Sequence, residues 1–427
     1  MLPNGWKLTT LEKLGTSDRP PIKAGPFGSS LKKEFYVKSG YKVYGQEQVI
    51  AGDLSIGNYY IDSHRFESLK SCAVQPGDVL ISLVGTFGKA VVVPNEAEPG
   101  IINPRLIRLS LDSSKVDPFF IKEWLVSPTT QNLFNDVAHW GTMGVLNAQT
   151  LKSLQLLLPP LPEQKKIAEI LSSVDEAIAS TQAVIDQIRK VKQGLLQQLL
   201  TRGIGHTRFK ESAIGKIPES WKVVSLQEMG KPNWFVIRSG PFGSSLKTEH
   251  FRLEGEPVLT IQSLGEGEIL KDGLFYIDAE KAKELSEYRV QPGDLVFSRV
   301  ADIGRSVVIT EYEKNWLISS NLMRISVNQE KYNPWFLMYS IVGGGPVTRQ
   351  IEKLSGTTGR PVVSSTMMKQ ITFAIPPLDE QYAIVMRIQQ TEEMIRQEGL
   401  AVDRLVALKN GLMQDLLTGK VRVGGTP

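Results

Sequence analysis

A glycine-rich segment that ends in lysine occurs twice in the chain and is the first candidate for a binding site. Residues Gly25–Lys32 read Gly-Pro-Phe-Gly-Ser-Ser-Leu-Lys, and residues Gly240–Lys247 repeat the same letters. A nucleotide P-loop requires Gly-Lys followed directly by Ser or Thr, so the intervening Ser-Ser-Leu disfavours nucleotide binding. Two interpretations stay open: a tight turn that buries Phe27, or a contact between the segment and a nucleic-acid backbone.

Hydroxyl groups, backbone N–H groups and lysine are the usual protein partners of DNA phosphates. The second interpretation therefore assigns backbone contacts to the small polar and basic side chains of both segments: Ser29, Ser30, Lys32, Ser244, Ser245 and Lys247. Because the two segments are identical, these residues cannot by themselves distinguish two different base sequences.

The sequence offers little for catalysis or metal binding. The four histidines and the single cysteine, Cys72, do not stand at the spacing of metal ligands. Asp117–Phe120 and Asn333–Phe336 faintly resemble the Asp/Asn-Pro-Pro-Phe/Tyr loop of amino-methyltransferases, but both lack the second proline, and no glycine-rich cofactor strand accompanies them. They are instead predicted to be capped helix starts with proline in the first turn. We therefore expect no catalytic activity and no cofactor in this chain.

Two long helical segments must position these candidates. They open on similar phrases, Pro159–Gln164 in the first and Pro376–Gln381 in the second. Apolar residues at steps of four and three then form a heptad seam, the signature of a helix packed along its length against another helix. The first seam is Ile167, Leu171, Val174, Ile178, Thr181, Ile185, Ile188, Lys192, Leu195 and Leu199, and the second is Ile384, Ile388, Thr391, Ile395, Glu398, Val402, Leu405, Lys409, Leu412 and Leu416.

The matching phrases belong to an internal repeat in which corresponding positions keep an almost constant separation along the chain. We expect a first globular domain over residues 1–158, a long helix over 159–203, a linker and second globular domain over 204–375, and a long helix with a tail over 376–427. Runs of β-branched residues between Gly, Pro and Asp turns predict two β-rich, mixed α+β domains. A pseudo-two-fold relation between the copies would make the long helices an antiparallel coiled coil.

Local patterns also place shorter elements. Asn147 and Ser364 are predicted to cap a short helix before the last strand of each globular domain. The predicted strands are Val79–Leu83, Ala90–Val93 and Leu106–Leu109 in the first copy, and Leu295–Ser298, Ser306–Ile309 and Leu322–Ile325 in the second.

The composition is that of an ordinary globular protein, with 41% hydrophobic and 22% charged residues among 427. The net charge of +4 allows a nucleic-acid partner without demanding one, because a strong stand-alone DNA binder is usually more basic. No apolar run is long enough to suggest a membrane span. The single cysteine excludes an internal disulfide and favours a reducing cytoplasm.

The repeated motifs resemble the conserved regions of type I restriction-modification specificity subunits. They are Pro159–Gln164, Pro376–Gln381, Gly25–Lys32, the turn Pro76-Gly77-Asp78, and Thr207–Lys210 leading to Ile217–Trp221. The resemblance implies two target-recognition domains that each read one half of a split sequence in double-stranded DNA. It also implies an antiparallel coiled coil that sets the gap and docks two modification subunits. Those partners bind S-adenosylmethionine and methylate adenine, and restriction subunits join them to cleave DNA.

Reading residues are expected where the two copies diverge on comparable loops. Arginine and lysine suit guanine, and asparagine or glutamine suits adenine. The candidates are Gln46, Tyr59, Tyr60, Thr86, Lys89, Arg105 and Thr142 in the first copy, and Gln262, Ser263, Arg299, Arg305, Asn321, Thr357 and Arg360 in the second. For each residue, an ordinary surface polar group is the alternative. The turn Pro76-Gly77-Asp78 recurs at Pro292-Gly293-Asp294 and is expected to be either scaffold or a contact to the DNA backbone, because it cannot distinguish two different half-sites.

Two other functions stay open on the sequence. A tandem-repeat scaffold or interaction protein could join two partners through the coiled coil without touching DNA. An enzyme with an unfamiliar site is disfavoured, because the duplicated globular parts share no set of acid, base and nucleophile.

Overall fold

A computed structural model describes residues 3–83, 88–140, 147–231, 236–265, 267–355 and 362–423, apart from the side chains of residues 135–140 and 355. The chain divides into two compact units. The first unit comprises Met1–Ala183 and Gly399–Pro427, and the second comprises Val184–Glu398. The division falls within the two long helices rather than at their ends, so each unit holds one globular part and a portion of both helices.

The described residues of the first unit form three small sheets. The strands are β1 (Lys7–Thr10), β2 (Ile22–Ala24), β3 (Tyr41–Tyr44), β4 (Tyr60–Ile61), β5 (Val79–Ser82), β6 (Ala90–Val92), β7 (Gly100–Ile102), β8 (Leu106–Leu109) and β9 (Gln155–Leu158). The strand orders are β1-β9, β2-β8-β5-β6 and β4-β3-β7, and all pairs are antiparallel except β3 with β7. Strands β5 and β8 are buried along their whole length, as expected where both faces of a sheet are covered.

Two short helices of the first copy begin at the caps that the sequence predicts. The side chain of Asp117 accepts hydrogen bonds from the backbone N–H groups of Phe119 and Phe120, and that of Asn147 accepts one from Thr150. These are N-caps, so both predicted caps are confirmed. The helices are α1 (Gln46–Ala51), α2 (Ser63–Ser68), α3 (Pro118–Val126), α4 (Pro128–Trp140), α5 (Ala148–Ser153) and the long α6 (Leu161–Arg202).

The second unit repeats this plan with a fuller second sheet and an added hairpin in the predicted linker. The strands are β10 (Phe209–Lys210), β11 (Ile217–Pro218), β12 (Lys222–Ser225), β13 (Ile237–Ser239), β14 (Phe251–Arg252), β15 (Glu256–Leu259), β16 (Phe275–Ile277), β17 (Leu295–Ser298), β18 (Ser306–Val308), β19 (Leu317–Ile318), β20 (Leu322–Ile325) and β21 (Thr372–Ile375). The hairpin is β10-β11, and the other orders are β12-β21, β13-β20-β17-β18 and β14-β16-β15-β19. As in the first unit, one pair is parallel, that of β15 with β19.

The caps of the second unit match those of the first. Asn333 accepts from Trp335 and Phe336, and Ser364 accepts from Met367, as predicted. The helices are α7 (Ala279–Glu284), α8 (Pro334–Val342), α9 (Pro346–Ser355), α10 (Ser365–Gln370) and the long α11 (Leu378–Leu416). The 3₁₀ helices of the described chain are Leu11–Leu14, Gly28–Ser30, Lys33–Phe35, Lys70–Cys72, Leu226–Met229, Thr248–His250, Ile261–Ser263, Lys271–Gly273 and Ser286–Tyr288.

The long helices pack antiparallel within each unit. In the first unit, Ile167 and Leu171 near the start of α6 share a buried cluster with Met413 and Leu416 near the end of α11. In the second unit the ends are exchanged, and the cluster joins the end of α6 to the start of α11, through residues such as Leu199 and Ile384. Every predicted seam residue in both helices is buried or partly buried. The predicted antiparallel coiled coil is therefore confirmed.

The glutamine of each opening phrase ties its long helix to the globular part. Gln164 accepts a hydrogen bond from the N–H of Asp117 (2.8 Å) and donates to the carbonyls of Lys115 and Pro159. Gln381 makes the same three bonds with Asn333, Lys331 and Pro376. Both glutamines are almost fully buried. The amide oxygen and one N–H bond are used at the start of the neighbouring helix, and the other N–H bond at the proline before the glutamine's own helix, which explains why the residue recurs.

The glutamate before each of these glutamines, Glu163 or Glu380, binds side chains from segments that are distant in sequence. In the first unit, Trp6 Nε1 donates to Glu163 Oε2 (3.1 Å), and Arg422 Nε and Nη2 donate to the two carboxylate oxygens (2.7 and 2.8 Å). In the second unit, Trp221 Nε1 donates to Glu380 Oε2 (3.1 Å), and His206 Nε2 lies 2.8 Å from Glu380 Oε1.

The segments that follow the two long helices thus bend back in the same way. α6 stops at Gly203, whose φ of +66° favours glycine, and the chain then returns to Glu380. After α11, the tail returns through Arg422 to Glu163 and to the carbonyl of Asn4. No helix in the described part of the chain combines the length and apolar character that crossing a bilayer needs.

Candidate nucleic-acid interface

The two glycine-rich segments form the same anchored loop. The N–H of Gly25 donates to the carbonyl of Leu106, and that of Gly240 donates to Leu322, both at 2.9 Å. A Cβ at Gly25 would stand 1.8 Å from the carbonyl oxygen of Asn103, so only glycine fits this close approach. The equivalent distance at Gly240 is 2.0 Å, to the carbonyl oxygen of Ser319.

The side chains of the loops point in opposite directions. Leu31 and Leu246 are buried and hold the loops down. Phe27 and Phe242, in contrast, are 87% and 83% exposed. The interpretation that the turn buries Phe27 is therefore wrong, because the neighbouring leucine occupies the interior.

The polar residues of the loops face solvent. Ser29 and Ser244 are exposed, while Ser30 and Ser245 are partly buried and close the turn through their N–H groups. Lys32 and Lys247 are exposed and lie 3.6 and 3.7 Å from a neighbouring glutamate, Glu34 and Glu249 respectively. Exposed ion pairs of this kind contribute about 0–1 kcal/mol, so both lysines can exchange these partners for a phosphate.

Two surface hollows flank the loop of the second unit. One, of about 670 Å³, is lined by predicted reading residues, Gln262 and Asn321, together with Lys247. The other, of about 640 Å³, is lined by Arg299, Phe242 and residues of β13. Gly243 and Ser320 line both hollows. The structure therefore brings amide, arginine and lysine side chains to the two sides of one loop.

Arg299 stands out among these side chains. Its N–H donates to the carbonyl of Asn321 (3.0 Å), which fixes the backbone next to the loop. Its Nε is buried and has no hydrogen-bond partner within the described residues. The guanidinium group lies at the wall of a hollow, and arginine is the side chain that most often contacts the acceptor edge of guanine.

A pair of aromatic side chains lies beside the loop in each unit. Phe251 and Phe275 stack with centroids 4.6 Å apart and line the larger hollow. In the first unit the pair is Tyr36 and Tyr59, with centroids 5.3 Å apart. Tyr59 is a predicted reading residue, whereas sequence reasoning missed Tyr36. The signal for Tyr36 was available, because the alignment that matches Gly25 with Gly240 also matches it with Phe251.

Several predicted residues lie elsewhere. Ser263 is fully buried, and its hydroxyl bonds to Thr260 within a turn, so it is not available to a ligand. Arg305 pairs with Asp302 (2.5 Å) and lines a different hollow, beside Met338. The remaining first-copy candidates are spread over the start of α1, strand β4 and the turns flanking β6 and β8: Gln46, Tyr60, Lys89 and Arg105. Thr86, Thr142, Thr357 and Arg360 lie outside the described residues.

The Pro-Gly-Asp turns are interior supports. Asp78 Oδ2 accepts from the N–H of Gln75 (2.7 Å), and Asp294 Oδ2 accepts from Gln291 (2.8 Å). Burial raises the pKa of both carboxyl groups, although nearby arginines act to lower it. Both aspartates are nearly inaccessible to solvent. Of the two roles expected for these turns, the buried aspartate side chains fit scaffold and not contact with DNA.

Comparison with known proteins identifies what this duplicated surface belongs to. The sequence matches the family described as the type I restriction modification DNA specificity domain twice, over residues 5–190 and 218–400. The chain belongs to this family. It is therefore a DNA specificity subunit of a type I restriction-modification system, with one specificity domain per copy of the repeat.

Relatives cover the chain from end to end. A putative type I restriction enzyme specificity subunit of Methanocaldococcus jannaschii, MjaX, is 28% identical over 99% of this chain and 95% of its own length. A chain from a structure on complex assembly and conformational transition of the type I R-M system has a TM-score of 0.63 at 16% identity, over 99% and 100% of the two chains. The type I S subunit from M. genitalium has a TM-score of 0.52 at 16% identity, over 98% of both chains. At these identities the solved structures show the specificity-subunit fold.

Proposed function

We propose that each unit reads one half of a bipartite DNA target, and that the coiled coil sets the spacer between the halves. The observation that carries this is the duplicated loop surface, which keeps its backbone contacts in both copies while its neighbouring side chains change. Gln262 and Asn321 line the hollow of the second unit, and the aligned positions of the first copy carry Glu47 and Arg105. Shared loops position the DNA, and divergent neighbours specify its sequence.

The coiled coil serves as the ruler in this proposal. α6 and α11 are each continuous and contribute to both units, so a change in their length acts on both. The same helices dock the two modification subunits, and restriction subunits join that complex. Methyl transfer from S-adenosylmethionine is the chemistry of those partners, and this chain supplies none.

Support for a non-catalytic chain comes from the described side chains. Within the residues that the structure covers, no three His, Cys, Asp or Glu side chains converge as a metal site would require. Asp117 and Asn333, which open the segments resembling a methyltransferase loop, use their side chains for helix caps. The chain purified alone should therefore transfer no methyl group to DNA from S-adenosylmethionine. Methylation by a demonstrably pure chain would contradict the proposal.

The decisive experiment selects DNA from a library in which both half-sites and the spacer are randomised. The protein is the chain co-purified with its modification subunits. We expect two conserved half-sites of different sequence at one fixed spacing. A tandem-repeat scaffold that does not read DNA would select no sequence at all, which would overturn the proposal.

A length variant tests the ruler separately. Four helix-forming residues are inserted after Ala183 in α6 and after Glu398 in α11, where the two units divide. Each insertion adds about 6 Å of helix, which corresponds to about one or two base pairs at about 3.4 Å per base. We expect unchanged half-sites and a longer preferred spacer. A matched insertion after Leu200 is the control, because this residue is buried in the second unit and the insertion should instead destabilise that unit.

A further inference from the structure

The repeated phenylalanine of the two loops has no part in the readout described above. Phe27 and Phe242 are among the most exposed large apolar side chains of the described chain. Single exposed apolar residues are ordinary on protein surfaces. Here, however, the same residue is exposed at the same place in two units whose surrounding side chains have diverged, which makes chance exposure a poor explanation.

A hydrogen-bonded backbone turn keeps each phenylalanine side chain exposed to solvent. The N–H of Ser30 donates to the carbonyl of Phe27 (2.8 Å), and Ser245 donates to Phe242 at the same distance. Pro26 and Pro241 precede the rings and are buried, and Leu31 and Leu246 anchor the other side. The rings are thus pre-positioned on a fixed turn, and little conformational entropy is lost when they bind.

The neighbours of the rings indicate the partner. An exposed serine and an exposed lysine follow each ring within the same loop, and both are typical phosphate contacts. In the second unit, Phe242 lies at a hollow that also contains Arg299. An apolar ring framed by phosphate-binding groups, on the surface of a DNA specificity subunit, fits DNA better than an apolar protein groove.

The presence of the same phenylalanine in both copies limits which part of the DNA it can contact. An identical residue in both copies cannot distinguish two different half-sites, so contact with the methyl group of thymine, which is sequence-specific, does not suit it. The apolar surface common to every sequence is the face of the stacked bases. Phenylalanine is one of the side chains that wedge between base pairs and bend DNA in this way.

We propose that Phe27 and Phe242 are a pair of sequence-independent wedges, each of which inserts partly between adjacent base pairs beside its half-site. This inference rests on the proposed function, because the wedge acts on DNA that the same unit reads. The loop lysines hold the backbone while the ring opens the step. Both half-sites are therefore distorted alike, although their sequences differ.

The test uses the complex of the chain with its modification subunits and a duplex that carries the selected target. Phe27→Ala and Phe242→Ala should each weaken binding by about 5-fold to 150-fold, the range that loss of one aromatic–base contact produces. The half-site sequences selected from a library should not change. Phe27→Leu and Phe242→Leu should keep most of the affinity, because leucine also serves as a wedge.

Leu253→Ala is the matched control. Leu253 is 99% exposed, and the aligned residue of the first copy is Lys38, so its exposure is not repeated. This variant should bind as the wild type does. All the variants should keep the melting temperature of the wild type, since none of the replaced side chains is in the interior.

A base analogue reports the wedge directly. With 2-aminopurine placed at each position of the target in turn, its fluorescence in the wild-type complex should increase at one base step beside each half-site. Phe27→Ala should remove only the increase beside the first half-site.

Phenylalanine variants that bind like Leu253→Ala, or a wild-type complex without any unstacked step, would overturn the wedge while leaving the proposed function intact. Alanine variants that lose the modification subunits instead would assign the rings to a protein contact and also overturn it. A wild-type complex without sequence preference would refute the proposed function, and the wedge with it.

Discussion

The two units place a lysine of the coiled-coil seam in the same position but surround it with different chemistry. In the first unit, Lys409 lies 2.6 Å from Asp175 and 2.9 Å from the fully buried Glu123, and Lys122 also pairs with both carboxylates. In the second unit, Lys192 lies 2.8 Å from Glu392, which accepts a hydrogen bond from the hydroxyl of Tyr339 (2.6 Å). The alignment of the two copies matches Tyr339 with Glu123. Four charges in one unit correspond to one ion pair and a phenol in the other.

The pKa shifts of Asp175 in the first unit and Tyr339 in the second reflect these different surroundings. Burial acts to raise the pKa of Asp175, but Lys409 and Lys122 outweigh it and hold the pKa below its usual value. Burial and the adjacent Glu392 raise the pKa of Tyr339, so the phenol stays neutral and donates its proton. Both units thus link the seam to the globular part through polar side chains, but with different residues.

The largest expected difference follows from removing the seam lysine. Lys409→Met would leave Glu123 buried with a single cation, and breaking a buried ion pair in this way costs about 3–5 kcal/mol. Lys192→Met would leave Glu392 partly hydrated and still bonded to Tyr339, at a cost of about 1 kcal/mol or less. Urea unfolding gives the two losses, and hydrogen exchange by mass spectrometry assigns each to its unit.

A second substitution sharpens this comparison. Glu123→Gln in the Lys409→Met background should recover stability, because it removes the buried carboxylate charge that has lost one of its two lysine partners. Equal losses for the two lysine variants would mean that the four-charge cluster is no more demanding than the simple ion pair.

The next difference between the units is a candidate base-reading residue, which is an arginine in the second unit and a leucine in the first. The alignment of the two copies matches Arg299 with Leu83, and both donate their N–H groups at 3.0 Å to equivalent carbonyls, those of Asn321 and Arg105. Arg299→Ala should relax the second half-site by about 1–3 kcal/mol, the value of one base contact, and leave the first unchanged. Arg305→Ala is the control, since this side chain pairs with Asp302 in another hollow. Library selection is the measurement, and a change in the first half-site would contradict the assignment.

Substitution of the loop lysines, Lys32 and Lys247, tests the phosphate contact that the two units are expected to share. Lys32→Ala and Lys247→Ala should weaken binding to every sequence to the same degree, because each removes one phosphate contact. Each should lower the slope of log affinity against log salt by about 0.9. Anisotropy titrations at several salt concentrations measure this. A shift in sequence preference would reassign these lysines to base readout.

The smallest expected difference concerns the closing glutamates. Burial acts to raise the pKa of Glu163, but Arg422 and Trp6 outweigh it, so the folded pKa lies below the ordinary value of 4.5. The stabilisation is therefore present above that value and is lost as the pH falls through the folded pKa. Arg422→Gln should cost about 1 kcal/mol at pH 7, and the gap to wild type should close in acid. His206→Gln, which retains a donor for Glu380, should change the second unit less. A gap that stays constant with pH would exclude the ion pair as its source.

Local patterns predicted the parts of the fold that depend on nearby residues. The seams, the caps at Asp117 and Asn333 and the helix end at Gly203 are set by periodicity, side-chain oxygens and backbone φ within a few residues. Strands Leu106–Leu109, Leu295–Ser298 and Leu322–Ile325 appear with the predicted bounds, and the others differ by one residue. The bond between Arg422 and Glu163 was not predicted, since 259 positions separate the partners and leave no local pattern.

The candidate site was harder to predict because residue type alone does not fix exposure. Phenylalanine is usually buried, yet Phe27 is exposed because Leu31 fills the interior beneath the same loop. Serine is usually exposed, yet Ser263 is buried because a turn uses its hydroxyl. Divergence between the two copies selected Gln262, Asn321 and Arg299, which the structure brings to the hollows around one loop, but it also selected the buried Ser263. Alignment of the copies would in addition have found Tyr36.

The division of the chain within its long helices has a consequence for synthesis. The second unit, Val184–Glu398, is one continuous segment, whereas the first needs residues made before and after it. Domains usually complete their folding in the order in which the ribosome delivers them. Here the order is reversed: the second unit can finish while the first still lacks Met413, Leu416 and Arg422, which complete its interior and its closure. A chain truncated after Glu398 is therefore expected to hold a complete second unit and an incomplete first one.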